Sequence, residues 1–318
     1  MMIYLGFEHE IASLEGRLSE QLNGFDQELT SEKPKDAELL ERQIAETMTA
    51  LYSNLSPAQT VQVARHPARP HALSYIHALF DDFAELSGDR TFGEDHAIIA
   101  GLGRFRGTPV AILGQEKGSD TNSRLLHNFG MPMPEGYRKA VRLMELADRF
   151  GLPVLSFVDS AGAFPGVEAE ARGQAQAIAT AISTCLSISV PSAAFIIGEG
   201  MSGGAMAIAA MSRVYMLKNA VYNVITPEGA ASILWRDASK SEEAANTMQV
   251  TADALLKFKV IDGIIDELVG GAHRHPEQAI SSVGSWIETA LSEMASLSPE
   301  DIISQKRSRF IEISRNLG

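Results

Sequence analysis

The feature that most constrains the fold is a unit that occurs twice: an apolar strand, a glycine-rich turn and the start of a helix. The first copy runs from a strand at 154–159 through the turn at 162–166 into an alanine-rich helix at about 168–186. The second runs from a strand at 193–197 through a glycine loop at 198–204 into a helix that starts at Ala205. Strands joined by helical crossovers form a parallel sheet. The repeat therefore predicts an α/β body.

Further strands and helices are predicted on both sides of the repeat. Strands at 97–102 and 110–113 flank a turn at 106–109, which is typical of a hairpin. Apolar spacing predicts a helix at 135–150, which Gly151 and Pro153 end. Other strand candidates lie at 214–217, 221–225 and 261–268, and one or two helices are expected at the C-terminus.

The N-terminal segment is predicted to be a helical hairpin. Apolar residues recur at a spacing of three and four, first in Ile11, Leu14, Leu18, Leu22, Phe25 and Leu29, then in Leu40, Ile44, Met48 and Leu51. A turn at 31–36 contains Pro34. We therefore divide the chain into a hairpin at 1–55 and a main domain at 56–318. Two helices cannot bury both faces alone, so the hairpin should pack on the main domain or on another subunit.

Composition excludes several classes of protein. The 318 residues include 27 basic and 40 acidic side chains, a net charge of −13, which disfavours general nucleic-acid binding. One cysteine, Cys185, can form neither an internal disulfide nor a multi-thiolate zinc site. No apolar run approaches the ~20 residues of a membrane span, and the acidic N-terminus does not resemble a secretion signal. We expect a cytosolic protein without a metal of its own.

The two glycine-rich turns are the candidate site, because ligands bind at the carboxyl ends of parallel strands. Gly203 and Gly204 would let a ligand oxygen approach the backbone N–H groups at a helix start, where donors lack internal partners. Such donors can form an oxyanion hole. The alternative is that both glycines only permit a tight turn and close helix packing. The loop matches neither a dinucleotide-binding motif nor a P-loop.

Side-chain catalysis is a weaker interpretation. Ser202 could be a nucleophile with His127 and Asp159, but it fits the role of helix cap better. Glu199 could be a general acid or base, or could organise the loop. His273 and His275 are more typical of a surface loop than of a metal site. A set of basic residues could bind a phosphorylated ligand or form a solvated helix face; these are Lys117, Arg124, Arg138, Lys139 and Arg142.

Ordered motifs along nearly the whole chain resemble one family, the α subunit of bacterial acetyl-coenzyme A carboxylase carboxyltransferase. The most specific are Gly-Ala-Phe-Pro-Gly at 162–166, the glycine loop and alanine at 198–205, Pro-Glu-Gly at 227–229 with 231–235, and Gly-Gly-Ala-His-Arg at 270–274. Supporting motifs lie at 64–70, 86–90 and 128–140. The resemblance implies a crotonase-like (ClpP/crotonase) α/β fold of repeated β-β-α units, with the N-terminal hairpin and C-terminal helices added.

The resemblance also implies a reaction that needs no side-chain nucleophile. Carboxybiotin, attached to the biotin carboxyl carrier protein, would donate its carboxyl group to acetyl-CoA to give malonyl-CoA for fatty-acid synthesis. Backbone N–H groups of Gly203 and Gly204, with Gly162 and Ala163 as further donors, would hold the biotin ureido oxygen. The carboxybiotin pocket would be formed by Gly200, Met201, Ser202, Phe164 and Pro165.

The expected partners are a β subunit, in an α2β2 heterotetramer, together with biotin carboxylase and the carrier protein. The β subunit would hold the thioester enolate and carry a zinc ribbon. This chain departs from the family pattern at Gln115 (His expected), Met201 (Gly), Ala230 (Cys) and 160–161. Three alternatives stay open: another short acyl-CoA as substrate, a self-sufficient hydratase or isomerase using Glu199 and Glu228, and an inactive scaffold.

Overall fold

The structure is a computed structural model that describes residues 3–23 and 34–315. Phe25, Leu29 and residues 31–33 of the predicted turn lie outside the described residues, and the last two residues of that turn, 35 and 36, belong to the second helix. Within them, the fold is a single eight-stranded sheet with helices on its faces. The strands are β1 Asp81–Glu85, β2 Ile98–Phe105, β3 Thr108–Gln115, β4 Val154–Ser160, β5 Ser192–Met201, β6 Arg213–Leu217, β7 Val221–Asn223 and β8 Gly263–Ile265.

Fourteen α-helices are present in the described part of the chain. They are α1 His9–Leu22, α2 Lys35–Tyr52, α3 Pro57–Ala64, α4 Ala72–Leu79, α5 Thr121–Leu126, α6 Pro134–Phe150, α7 Val167–Ala171, α8 Gln174–Ser187, α9 Ser202–Ala209, α10 Pro227–Trp235, α11 Ser241–Thr247, α12 Ala252–Lys257, α13 Pro276–Met294 and α14 Pro299–Arg315. Short 3₁₀ helices lie at Gly6–Glu8, Asn128–Gly130 and Ala238–Lys240.

The sheet order is β1-β2-β3-β4-β5-β6-β8, and β7 pairs with the far end of β5. The first three strands are antiparallel, which confirms the predicted hairpin of β2 and β3. All later pairings are parallel, as the strand–turn–helix repeat predicts. Because β4 and β5 are parallel neighbours, the two glycine-rich turns lie at the same edge of the sheet.

Several predicted elements differ from the structure. The strand predicted at 193–197 continues to Met201, so Gly198 and Gly200 belong to β5 and not to a loop. The single helix predicted at 168–186 is two helices, α7 and α8, because Gly173 between them has φ +84°. The strand predicted at 261–268 is short, since only three residues pair with β6. The strand β1 and the helices α3 and α4 are not predicted from the sequence, because their apolar patterns are short.

The centre of the sheet carries a row of aromatic rings that runs across the strands. Phe157, Phe195 and Tyr215 occupy paired positions of β4, β5 and β6, and their ring centroids lie 5.9 and 5.7 Å apart. Tyr75 and Trp286 extend the row at its two ends. The Tyr75 ring lies 5.6 Å from that of Phe157, and the Trp286 ring lies 4.9 Å from that of Tyr215. Offset contacts of this kind add about 0.5–1.5 kcal/mol per pair to the burial of the rings. The row fixes the register of the strands that carry the two turns.

The N-terminal helices pack on the main body within the described residues. Ile11 of α1 and Met48 of α2 are buried, as the apolar stripes predict. The buried Glu8 carboxylate lies 3.3 Å from the Arg274 guanidinium and accepts a 2.9 Å hydrogen bond from the Tyr52 hydroxyl. Arg274 belongs to the motif at 270–274, so this loop of the main body holds the N-terminal segment through charge as well as apolar contact.

Candidate active site

The two glycine-rich turns are in direct contact. A methyl group built on Gly204 would lie 2.6 Å from the Ala163 backbone nitrogen and 2.7 Å from the Gly162 carbonyl carbon. Only a residue without a side chain allows this approach, because both opposing atoms belong to the backbone. Gly162 itself has φ +115°, which also favours glycine. The structure therefore brings together the four residues, Gly162, Ala163, Gly203 and Gly204, that the sequence offered as donors.

Three backbone N–H groups at this contact are available to a ligand. Gly203 and Gly204 lie in the first turn of α9, where the helix supplies no acceptor for its own donors. Ala163 N–H has no partner among the described residues. The Gly162 N–H, by contrast, donates to Ser160 Oγ at 3.0 Å, and the Phe164 N–H donates to the Pro132 carbonyl. Gly162 is thus a positioned turn residue whose donor is already in use.

Gln115 binds the backbone carbonyl of Gly204. Its Nε2 donates to the Gly204 carbonyl oxygen at 2.9 Å, and its side chain is completely buried. A buried hydrogen bond of this kind, made from outside α9, restricts the orientation of the Gly204 carbonyl. Gln115 comes from the end of β3, far away in the sequence. Sequence analysis noted it only as a departure from the family pattern and missed this role.

Ser202 joins β5 to α9 in a left-handed conformation with φ +57°. The expectation that its side chain caps α9 is wrong, because the N-cap position is Met201 and no side chain accepts from the first turn. The nucleophile alternative finds no partners either. His127 Nδ1 is bonded to the His96 carbonyl at 2.6 Å, and Asp159 is bound by Lys117 and His71. No serine–histidine–carboxylate arrangement forms among these residues.

The five residues predicted to form the cofactor pocket differ in accessibility. Ser202 and Phe164 are partly exposed and Pro165 is exposed, so these three can contact a ligand. Met201 is only 5% exposed and Gly200 is buried, where its missing side chain makes room for the Tyr222 ring. Met201 and Gly200 therefore support the turn from beneath.

An apolar pocket of about 580 Å³ begins at Ser202 and extends between α9 and α10. Its walls include Met206, Ala230, Ile233 and Leu234. Ile233 and Leu234 are 70% and 67% exposed, although both are large apolar residues. Pockets with apolar walls and a few polar groups at one end are typical of small-molecule sites. The polar side chains of this one are Ser202, at the start of α9, with Asn223 and Gln249.

A buried charged cluster lies beneath the turn that follows β4. Asp159 accepts a 2.6 Å contact from Lys117 Nζ and lies 2.8 Å from His71 Nδ1. Burial alone would raise the pKa of Asp159, but Lys117 and His71 outweigh it and hold the pKa below its ordinary value. Gly198 makes room for this carboxylate, since a methyl group there would lie 2.5 Å from Oδ1. The cluster anchors the carboxyl ends of β4 and β5 together.

Arg65 holds the two carboxylates on which a hydratase would depend. It lies 2.7 Å from Glu199, which is almost fully buried, and 3.0 Å from the half-exposed Glu228. Burial opposes ionisation of Glu228, yet a backbone hydrogen bond and Arg65 lower its pKa. A proton-transferring carboxylate needs a free position and a raised or ordinary pKa. The geometry favours the loop-organising role for Glu199.

Neither the histidine pair nor the basic residues form the groups suggested by the sequence. His275 is exposed, but His273 is partly buried and stacks on His66 at 3.9 Å, so it is not a surface residue. Lys139 is fully buried and donates to the Asp95 carbonyl at 2.9 Å, away from Lys117. Within residues 3–23 and 34–315, no cluster of three metal-binding side chains exists. No helix among them is long and apolar enough to cross a membrane.

Comparison with known proteins places this geometry in a family. Residues 4–314 match the family described as acetyl co-enzyme A carboxylase carboxyltransferase-like. The chain is 53% identical over 314 residues to an acetyl-coenzyme A carboxylase carboxyl transferase subunit alpha of Rhizobium leguminosarum bv. trifolii, covering 99% of each chain. It is 52% identical over 317 residues to the protein of the same name from Methylobacterium nodulans, covering 100% of both.

Solved structures share the crotonase-like fold at low sequence identity. The transcarboxylase 12S core superposes with a TM-score of 0.59 at 20% identity, over 72% of this chain and 42% of that one. A chain of a Pseudomonas malonate decarboxylase hetero-tetramer superposes with a TM-score of 0.56 at 17% identity, over 71% and 92%. The sequence resemblance and the predicted α/β fold are thereby confirmed. The chain belongs to the acetyl co-enzyme A carboxylase carboxyltransferase family.

Proposed function

We propose that this chain acts as the α subunit of an acetyl-CoA carboxylase carboxyltransferase, which forms malonyl-CoA from acetyl-CoA. One observation carries the proposal: two glycine-rich turns meet at the start of α9, and the N–H groups of Gly203, Gly204 and Ala163 have no partner among the described residues. No nucleophilic triad and no free carboxylate pair accompanies them among the described residues. A site made of backbone donors alone suits a reaction whose only demand on this subunit is to stabilise a developing oxyanion.

The residues present fit a biotin head group at this position. Carboxybiotin on the carrier protein supplies the carboxyl group that is transferred. The N–H groups of Gly203 and Gly204 donate to the ureido oxygen, and Ala163 N–H adds a third donor from the other turn. The apolar walls beyond Ser202 hold the ring system and exclude water, which strengthens these hydrogen bonds. Phe164 and Pro165, which follow Ala163 in the other turn and are at least partly exposed, are the further residues that would contact the head group.

Donors held in advance lower the barrier because they need no reorganisation as charge develops. Removing one donor from an oxyanion hole costs about 3–4 kcal/mol of barrier in enzymes where this has been measured. Here Gln115, Ser160 and the close contact of Gly204 with Ala163 hold the donors in place. These residues touch the backbone of the site and not the reacting atoms, so their role is positioning.

The other half of the reaction is assigned to a partner. We propose that a β subunit binds the acyl-CoA, stabilises its enolate and carries the zinc ribbon, and that the two subunits assemble as α2β2. Biotin carboxylase would regenerate the carboxylated carrier. We further propose that 1–55 forms a separate hairpin unit beside the main domain at 56–318 and that the hairpin and the C-terminal helices take part in assembly.

Reconstitution tests the proposal. The purified chain, its β partner and carboxylated carrier protein are mixed with acetyl-CoA, and malonyl-CoA is measured by chromatography. We expect product only when both subunits are present. Propionyl-CoA in place of acetyl-CoA tests the choice of acyl group, and hydration of crotonyl-CoA by the chain alone tests the hydratase alternative. Full transfer activity from either subunit alone, or hydration at enzymatic rates, would overturn the proposal.

A further inference from the structure

A second pocket, of about 430 Å³, lies outside the candidate active site and is lined by arginines. It is bounded by the loop at 89–91, one face of α6 and the start of α8. Arg90 comes from the loop, Arg138 and Arg142 from α6, and Arg172 from the segment that precedes α8. Four guanidinium groups in one concavity are unexpected in a chain with a net charge of −13. Their grouping calls for a specific explanation.

Two of these arginines are neutralised by neighbouring carboxylates. Arg138 pairs with Asp89 at 2.7 Å and with Glu135 at 3.0 Å, and Arg172 pairs with the same Glu135 at 2.8 Å. The pairs form a rigid base for the pocket, because Asp89 also accepts hydrogen bonds from the N–H groups of residues 91, 92 and 93. Burial opposes ionisation of Asp89, yet these bonds lower its pKa to about 2.

The other two arginines lack a carboxylate partner within the described residues. Arg142 donates only to the backbone carbonyls of Leu86 and Ser87, at 2.8 and 3.0 Å, and its buried Nε has no partner. Burial and the nearby Arg90 charge lower the pKa of Arg142. Glu145, on the exposed rim, is the remaining acidic group of the lining. The lining therefore holds four guanidinium groups and two carboxylates, while Glu135 pairs with Arg138 and Arg172 from outside it. Glu94, which also acts on Arg142, is itself paired with Lys139, so the unpaired positive charge lies between Arg90 and Arg142.

We infer that this pocket binds a phosphate monoester, with the dianionic group between Arg90 and Arg142. Guanidinium groups recognise phosphate through paired, charge-assisted hydrogen bonds, and a dianion would relieve the repulsion between two unpaired cations. The volume far exceeds that of a phosphate ion, so it admits an attached organic group along the polar side chains of Gln176 and Thr180. This inference does not depend on the proposed function.

Two sources could present this group: the ribose 3′-phosphate of coenzyme A, or a free phosphorylated metabolite. Calorimetry on the chain and on its complex with the β subunit, at low salt, uses 3′-AMP, adenosine, coenzyme A and dephospho-coenzyme A as probes. We expect 3′-AMP to bind at least tenfold more tightly than adenosine. Coenzyme A binding tenfold more tightly than dephospho-coenzyme A indicates the first source, and equal binding of the two indicates the second.

Variants decide whether the arginines are responsible. Arg142→Gln keeps a hydrogen-bond donor but removes the charge, and Arg90→Asn suits the left-handed backbone at that position, where φ is +64°. Each should weaken 3′-AMP binding at least tenfold. Arg149→Gln, on the exposed end of the same helix, should leave it unchanged. If Arg142→Gln does not fold, Arg90→Asn alone tests the inference, because Arg90 is exposed and its replacement should not affect folding.

Three outcomes contradict the inference. The first is 3′-AMP binding that is absent, or that is unaffected by Arg90→Asn. The second is binding to the free chain that disappears when the β subunit is added, because the pocket would then be covered by a protein partner and not by a small ligand. Loss of affinity in Arg149→Gln equal to that in Arg90→Asn would also contradict it, since only general charge would then matter.

Discussion

Replacing Gly204 with alanine is the sharpest test of the active-site geometry. The new methyl group would lie 2.6 Å from the Ala163 nitrogen, whereas ordinary contacts begin near 3.4 Å. The two turns must therefore separate by about 0.8 Å, and neither side can yield by a side-chain rotation because the opposing atoms are backbone. Overpacking of this kind costs ~1–3 kcal/mol. Alanine regains up to ~1 kcal/mol through its better helix propensity, so stability should fall only modestly.

Activity should fall much further than stability. Separating the turns moves the Ala163 donor relative to those of Gly203 and Gly204, and a misplacement of about 1 Å can cost ~100-fold in rate. Gly203→Ala is the matched control on the same helix. Its methyl group would meet only the Ile178 side chain, at 3.2 Å, which can shift by a few tenths of an ångström. We expect Gly203→Ala to keep activity within severalfold and to be at least as stable as wild type.

Both variants are measured in the reconstituted α and β complex, by malonyl-CoA formation at saturating acetyl-CoA. Thermal unfolding and gel filtration confirm that each variant folds and binds the β subunit. The reasoning predicts a fall of about a hundredfold in kcat for Gly204→Ala, with a shift in melting temperature of a few degrees. If Gly204→Ala works as well as Gly203→Ala while both fold normally, the contact between the turns does not position the donors.

Three further predictions concern single side chains. Gln115→Leu removes the hydrogen bond that holds the Gly204 carbonyl from outside α9 and should lower kcat at least tenfold. Gln115→His, which keeps a donor, should stay near wild type; equal rates of the two variants would contradict the positioning role. Ser202→Ala should retain activity within about threefold, and Ser202→Gly should stabilise the fold by ~1 kcal/mol in chemical unfolding because φ is +57°; an inactive Ser202→Ala would restore the nucleophile alternative. Burial lowers the pKa of Lys306 to about 8, and its ammonium donates to the Cys185 and Ile188 carbonyls. The unfolded chain keeps this proton to about pH 10.5, whereas the folded chain loses it near pH 8. The free energy of unfolding of wild type, relative to that of Lys306→Met, should therefore rise by up to about 3 kcal/mol between pH 8 and 10.5. A difference that does not change with pH would contradict the burial of the charge.

Local sequence patterns were sufficient to predict the α/β fold and the centre of the candidate site. The alternation of apolar strands, glycine turns and helices can be read from short stretches of sequence. Apolar periodicity and the backbone freedom of glycine depend only on neighbouring residues. The body around β4, β5 and α9 was therefore predictable, as was the importance of Gly203 and Gly204. The end of β5 was predicted less well: glycines at 198 and 200 resemble a loop, but they continue the strand because Asp159 and Tyr222 occupy the space above them.

Only the tertiary structure decided which distant residues complete the site. Gln115 reaches the Gly204 carbonyl from another strand, Arg65 holds Glu199 from the turn after α3, and Lys117 and His71 converge on Asp159. No periodicity links such positions, since their proximity follows from the order in which the strands pair. Tertiary packing also separates the basic residues that the sequence grouped together: Lys139 is buried in the core and Arg142 lines the second pocket. The sequence determines which secondary structure each segment prefers. The packing of the sheet determines which distant side chains come close enough to form hydrogen bonds and ion pairs.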